Sequence, residues 1–120
     1  MPIIIVYGIP SSKKESYDLE HFCNALIQRT CSIKELNLTK EQVSCFFPAD
    51  LMNNGLGEEI IMFVEGLFEK PERTEEVRKV LSDKLAECGR KFFPDADLIE
   101  CLIHPFNPKS GFASISKPKK

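Results

Sequence analysis

Pro2 follows the initiator methionine and opens an apolar run, MPIIIV. If Met1 is removed, which the small side chain beside it permits, the chain starts with a secondary amine that can act as a base near neutral pH. The alternative is structural, because proline is well tolerated as the first residue of a strand, where its missing N–H is not needed. The sequence therefore offers Pro2 as a candidate general base whose chemistry depends on removal of Met1.

Side chains that bind metals or form disulfides are scattered along the chain. The five cysteines contain no C-x-x-C pair, and His21 and His104 are isolated from each other and from paired cysteines. These spacings predict free thiols, no metal site and no cofactor. We interpret His104 as the residue that caps the last strand before Pro105.

The composition argues against several classes of partner. The chain has 120 residues, of which 42% are hydrophobic, and a net charge of −2, so one globular domain without a basic surface for nucleic acid is expected. No apolar run approaches the ~20 residues that span a bilayer, and the amino terminus carries no basic leader. We expect a cytoplasmic protein that binds neither nucleic acid nor membrane, with a flexible basic tail at residues 114–120.

The two halves of the sequence repeat one apolar pattern. IIIVYGI (3–9) aligns with IMFVEGL (61–67) at an offset of 58, which superimposes Gly8 on Gly66. Each half continues with an apolar stripe at helical i, i+3, i+4, i+7 spacing. The first stripe consists of Leu19, Phe22, Cys23, Leu26 and Ile27, and the second of Val77, Val80, Leu81, Lys84 and Leu85.

A second predicted strand ends each half, QVSCFFP at 42–48 and LIECLIHP at 98–105. Ser12 or Ser16 is the expected cap of the first helix, Thr74 caps the second, and Gly89 and Pro94 fit its exit. The pattern predicts a single domain over residues 1–113 with βαβ units at about 2–49 and 59–107. We expect an α/β (α+β) fold in which a four-stranded mixed sheet carries two helices on one face.

The predicted strands are apolar at nearly every position, which is typical of strands buried on both faces. Two helices cover only one face of such a sheet. The sequence therefore predicts a symmetric homo-oligomer in which a second copy covers the other face.

The βαββαβ order occurs in the ferredoxin-like fold and in the tautomerase fold. No aromatic, glycine-containing RNA-recognition signature is present, which favours the second fold. MPIIIV resembles the opening of tautomerase-superfamily proteins, and FFPADLMNNGLG (46–57) resembles the segment after the second strand in two-unit members such as the macrophage migration inhibitory factors. Over about residues 2–113 the chain is most similar to a bacterial group of two-unit members whose function is not established.

The resemblance implies a homotrimer with sites at subunit boundaries, in which Pro2 is the catalytic base. Apolar walls such as Ile4, Phe46 and Phe112 would lower the pKa of its amine by disfavouring the cation. A developing enolate needs positive charge nearby. Lys13 and Lys34 are the candidate catalytic cations for that role.

Two further cations are candidate substrate-binding residues. Arg73 lies in the loop of the second half that corresponds to the loop of Lys13, and Lys109 lies in the closing segment. Short bacterial tautomerases have arginines at positions where this chain has Ser12 and Ser44. Two hypotheses therefore stay open: an isomerase acting on a small enol or keto carboxylate, and a non-catalytic binding or structural protein with the same trimeric fold.

Overall fold

The computed structural model describes residues 2–9, 18–52, 54 and 58–118. Its main elements form two successive strand–helix–strand units. The first contains β1 (Ile3–Tyr7), α1 (Leu19–Cys31) and β2 (Ser44–Phe46), and the second contains β3 (Glu59–Phe68), α2 (Glu75–Phe92) and β4 (Leu98–Phe106). Short 3-10 turns lie at Lys34–Leu36, Lys40–Gln42 and Pro108–Ser110. The predicted duplication of a βαβ unit is confirmed.

One mixed sheet joins the two units in the order β2, β1, β3, β4. β1 is parallel to β2, and β3 is parallel to β4. β1 and β3 run antiparallel at the centre, where Ile3 lies opposite Glu65 and Tyr7 lies opposite Ile61. The amino end of β1 therefore lies at the end of the sheet where β3 and β4 finish.

The core lies between both helices and one face of the sheet. Alternate residues of the central strands are fully buried there, and the predicted stripes of α1 and α2 pack against them. The predicted helical phase is confirmed by the complete burial of Phe22, Leu26, Leu81 and Leu85, whereas Val80 is 44% exposed. The expected arrangement of a four-stranded sheet with two helices on one face is confirmed.

The opposite face of the sheet carries none of the helices that the structure describes. Its apolar side chains are half-buried or exposed, and Tyr7 and Phe63 contact each other edge to face with ring centroids 5.7 Å apart. We call this surface the bare sheet face. Its apolar residues are Ile3, Ile5, Tyr7, Phe46, Ile61, Phe63, Leu98 and Leu102.

The cap of the first helix differs from the prediction. Ser12 and Ser16 lie outside the described residues, and the cap of α1 is Asp18, whose carboxylate accepts a hydrogen bond from the His21 backbone N–H at 3.1 Å. The cap of α2 is Thr74 as predicted. No helix in the described ranges is both long and apolar enough to cross a membrane.

Gly89 has a different role from the predicted one. It is buried inside α2, which continues to Phe92, and a Cβ at this position would lie 3.0 Å from Ile99 Cγ2 and 3.2 Å from Met62 Cε. The glycine therefore permits close contact between the helix and the sheet and does not end the helix. Pro94 follows the last helical residues, as expected.

β2 is shorter than the predicted strand at 42–48. Thr39 and Gln42 form a capping box, in which the Gln42 side chain accepts from the Thr39 backbone N–H at 2.9 Å. This box closes the 3-10 turn at Lys40–Gln42, so the chain becomes extended only at Val43. Pro48, which has no N–H, follows the strand.

Leu26→Ala should lower the free energy of unfolding by ~2 to 4 kcal/mol, because it removes a fully buried side chain from the core. Urea denaturation measures this loss. Val80→Ala on α2 is the matched control and should change stability by no more than about 0.5 kcal/mol, since Val80 is largely exposed. A loss below that value for Leu26→Ala would contradict the packing of α1 on the sheet.

Asp18→Asn should remove a pH-dependent contribution to stability while keeping a side chain that caps helices. The backbone hydrogen bond from His21 lowers the pKa of Asp18 below 3.8 in the folded state, so the charged cap contributes above pH 3.8 and is lost as pH falls through the folded pKa. Urea titrations at neutral and strongly acidic pH should give a stability difference between wild type and variant that shrinks in acid. A difference that grows in acid would refute this role.

Candidate functional site

Pro2 lies directly before β1 and is buried. Its carbonyl oxygen accepts a hydrogen bond from the Ser44 N–H at 3.3 Å, which fixes the start of β1 beside the start of β2. Because β1 is antiparallel to β3, Pro2 lies at the end of the sheet where β3 and β4 finish. Met1 lies outside the described residues, and the Pro2 nitrogen is an amide when Met1 is retained and an amine when it is removed.

Arg73 lies buried at the same end of the sheet and bridges the two units. Its side chain is 5% exposed, Nη1 donates to the Phe68 carbonyl at 2.8 Å, and Nη2 donates to the Leu36 carbonyl at 2.8 Å. Phe68 ends β3, and Leu36 belongs to the 3-10 turn after α1. The guanidinium thus joins the segment between α1 and β2 to the end of the second unit.

The charge of Arg73 is held inside the protein by backbone carbonyls. Burial lowers the pKa of its guanidinium, but arginine keeps its proton under these conditions. Nε is buried and has no hydrogen-bond partner within the described part of the chain. Each terminal nitrogen donates one hydrogen bond to a backbone carbonyl, whereas the single N–H of Nε is buried without an acceptor among the described residues.

Two exposed lysines lie at the same end of the sheet. Lys34 begins the 3-10 turn that ends at Leu36, whose carbonyl accepts from Arg73. Lys109 lies in the 3-10 turn that follows β4, where its backbone N–H donates to the Asn107 side chain at 3.0 Å. Both ammonium groups are therefore accessible beside the end of the sheet that holds Pro2.

Three aromatic rings form a wall at this end. Phe112 packs edge to face on Phe68 with ring centroids 4.8 Å apart, and Phe68 lies 6.1 Å from Phe106. Phe112 remains 53% exposed. The closing segment of the chain is thus anchored through Phe112 beside the ends of β3 and β4.

The other predicted site residues are not brought together in the protomer. Ile4 is fully buried on the helix-covered face of the sheet, whereas Phe46 is 55% exposed on the bare sheet face. These two side chains lie on opposite sides of the sheet. Lys13 lies outside the described residues.

A pair of polar side chains on the bare sheet face was not predicted. His104 lies within β4, which continues through Pro105, so its predicted role as a cap before that proline is wrong. Its imidazole Nδ1 pairs with the Glu65 carboxylate, and its ring lies 5.5 Å from that of Phe63. Residues 39 positions apart carry no sequence signal of contact; the parallel register of β3 and β4 creates this one.

Two cavities of the protomer lie away from Pro2. One of about 230 Å³ lies at the opposite end of β1, with Tyr7, Asp50 and Glu59 in its lining. A more open groove of about 730 Å³ follows α1 beside Ile27 and Cys31. Within the described ranges, no three His, Cys, Asp or Glu side chains converge in a way that could hold a metal ion.

Comparison with solved structures assigns the fold. A fused 4-OT wild-type asymmetric trimer matches with a TM-score of 0.67 and 15% identity over 88% of this chain and 86% of that chain. A 5-carboxymethyl-2-hydroxymuconate delta-isomerase matches with a TM-score of 0.63 and 9% identity over 100% of this chain and 96% of that chain. A malonate semialdehyde decarboxylase matches with a TM-score of 0.62 and 9% identity over 96% of this chain and 92% of that chain.

No family model and no curated relative matches the sequence. At 9 to 15% identity, the three structures show that the backbone of this chain is arranged like theirs, and nothing further. They share the mixed sheet and paired helices described above, and they belong to one superfamily. The resemblance noted in the sequence is confirmed at the level of the fold: this chain has the fold of the tautomerase superfamily.

Proposed function

We propose that this chain is a tautomerase-like isomerase that uses the amine of Pro2 as general base on a small enol or keto carboxylate. The observation that carries the proposal is the position of Pro2, which is buried at the head of β1 in a tautomerase fold. The proposal gains support from structural neighbours that include a delta-isomerase and a decarboxylase. Its chemistry requires removal of Met1, because an amide nitrogen is not basic.

The buried environment suits a proton-transferring amine. An α-amino group titrates near ~8 in water, and burial lowers the pKa by disfavouring the cation. With an enol substrate, the Pro2 nitrogen accepts the hydroxyl proton, and negative charge develops on the enolate oxygen. The ammonium then returns the proton to the α-carbon, which yields the keto form and regenerates the amine.

Positive groups near Pro2 would stabilise the enolate and the carboxylate. Lys34 and Lys109 supply exposed ammonium groups, and Arg73 supplies a buried charge whose Nε is free of partners among the described residues. Phe112 offers an apolar wall. The role of Lys13 as a catalytic cation stays a prediction. Phe46 would contact a neighbouring subunit that packs on the bare sheet face.

A homotrimer completes the site in this proposal. The bare sheet face presents a contiguous apolar surface, which monomeric proteins seldom expose. The fused 4-OT neighbour is a trimer, and packing of three copies would bury this face and bring a neighbour toward Pro2. The two cavities described for the protomer lie away from Pro2, at the other end of β1 and along α1.

A non-catalytic binding or structural protein is the second candidate function. The observation that favours it is the engagement of Arg73, because the residue is 5% exposed and both of its terminal nitrogens bind backbone carbonyls, so it is not open to a carboxylate in the two-pronged manner of arginine. Ser44 also occupies a position where short tautomerases have arginine. In this alternative the fold and the assembly are kept without proton transfer.

Blocking the Pro2 nitrogen should abolish ketonisation of enol-phenylpyruvate. Retaining Met1 or adding one residue before Pro2 converts the amine to an amide, and general-base assistance is worth ~100- to 10,000-fold. Ultraviolet absorbance of the enol measures the rate, and the intact mass reports the state of the amino terminus. Pro2→Ala in the processed protein is the control, which should lose less because it keeps a primary amine.

The fold and assembly of the blocked and processed forms should be the same, as judged by circular dichroism and sedimentation. The processed protein should also show an essential group that ionises at or below the free-amine value, as burial predicts. Equal rates for the two forms, or rates no faster than in solvent, would reject the isomerase and favour the binding protein.

Leu102→Glu should break the proposed trimer, because it places a carboxylate on the bare sheet face, where burial of an unpaired charge costs several kcal/mol. Sedimentation equilibrium at micromolar concentration should give a trimer for wild type and smaller species for the variant. Val80→Glu on α2 is matched in exposure, at 44% against 41%, and should remain a trimer. A monomeric wild type would contradict the proposal.

A further inference from the structure

Glu65 and His104 form a polar pair at one end of the bare sheet face. Glu65 lies opposite Ile3 in the antiparallel register of β1 and β3, and its carboxylate is paired with Nδ1 of His104 on β4. The His104 ring lies 5.5 Å from the ring of Phe63, which lies opposite Leu102 on β4. The pair therefore borders directly on the apolar side chains that the proposed trimer buries.

Both side chains are open to water in the protomer. The His104 side chain is 50% exposed, and the Glu65 side chain is 38% exposed. Covering the bare sheet face removes water from both, and a carboxylate that leaves water is destabilised unless a positive group compensates its charge. The cost of covering this pair therefore depends on whether His104 carries a proton.

The proton on His104 sets the net charge of the pair. With a neutral imidazole the pair carries the single negative charge of Glu65, whereas with an imidazolium the two charges cancel. An imidazole ordinarily gains or loses its proton in the range of about pH 5 to 8, in which carboxylates ordinarily stay ionised. Each protomer of an assembly then holds either a compensated pair or an uncompensated buried carboxylate, and the compensated pair is the more favourable.

The other groups near the pair include one that also titrates in this range. β1 and β2 contribute Ile3 and Ser44 to this part of the face, and neither changes its charge near neutral pH. Glu100 lies on the same face of β4, four residues before His104 and about 13 Å along the strand. The charged residues of the turns and segments at this end are Lys34, Glu69, Arg73 and Lys109. Among the described groups at this end, only His104 and the amine that Pro2 carries after removal of Met1 are of types that exchange a proton near neutral pH.

We propose that the pair of Glu65 and His104 links assembly of this chain to pH, because the trimer forms most tightly when His104 is protonated. This inference rests on the proposed trimer and not on proton transfer by Pro2. Assembly raises the proton affinity of His104, so the added stability is complete in mild acid and is lost as rising pH removes the proton. A tenfold gain in proton affinity at each of three pairs corresponds to a change of up to about 1,000-fold in the trimer association constant.

Sedimentation equilibrium of fluorescently labelled protein, diluted from micromolar to nanomolar concentration, measures the association constant at about pH 6 and about pH 8. The salt concentration is the same at both pH values, so that screening of surface charges stays constant. We expect the trimer association constant of the wild type to fall about tenfold or more between the lower and the higher pH.

Glu65→Gln should reverse the sign of this pH dependence. The variant pair is uncharged when His104 is neutral and carries an unpaired positive charge when His104 is protonated, so the trimer should tighten as pH rises. A purely structural role of Glu65 would instead change the association constant by the same factor at both pH values, and that result would contradict the inference.

His104→Gln should abolish the pH dependence and associate at both pH values as the wild type does at the higher one. Its amide keeps a donor for Glu65 but gains no proton. His21→Gln is the matched control, because His21 is the other histidine of the chain and is paired with Asp18 at the start of α1, away from the bare sheet face. The control should keep the wild-type pH dependence.

Two results separate this inference from the proposed trimer. A wild-type trimer whose association constant is equal at both pH values, or rises with pH, would overturn the inference and leave the trimer standing. A His104→Gln protein that still responds to pH as the wild type does, through the Pro2 amine for instance, would overturn it as well. A wild type that is monomeric at both pH values and at micromolar concentration would overturn the trimer and the inference together.

Discussion

The antiparallel pairing of β1 with β3 is the contact on which the rest of the structure depends. Each βαβ unit alone has two parallel strands and one helix, which is too little to bury a core. Pairing at the centre merges the two units into one sheet and brings both helices to one face. The same register carries Pro2 to the end of the sheet where β3 and β4 finish, far from their first residues.

Arg73 is a second link between the two units, and it acts through charge. A buried guanidinium is unfavourable without partners, and the carbonyls of Phe68 and Leu36 supply two. The segment after α1 is thereby held against the end of β3, with Lys34 at its surface. In the proposed isomerase, Arg73 therefore holds the segments around the site in place and adds a positive charge nearby. The exposed lysines are the residues that contact the substrate.

The two faces of the sheet carry different kinds of side chain. The helix-covered face holds the core, against which Cys45 packs, and burial raises the pKa of the Cys45 thiol. The bare sheet face holds apolar side chains and the pair of Glu65 and His104. An assembly that covers this face would bury this pair, whose polar side chains meet within one protomer and need no partner from a neighbour.

The sequence by itself determined the duplicated βαβ unit, the helical phase of Phe22 and Leu26, and the fold, because apolar spacing reports which side of each element is buried. It also singled out the residues at the Pro2 end, Arg73 and Phe112 among them, although not their contacts. Tertiary structure alone decided that Ile4 and Phe46 face opposite ways. It also decided that Gly89 lies against Ile99 and that His104 meets Glu65, since strand register and helix docking bring together residues far apart in the chain.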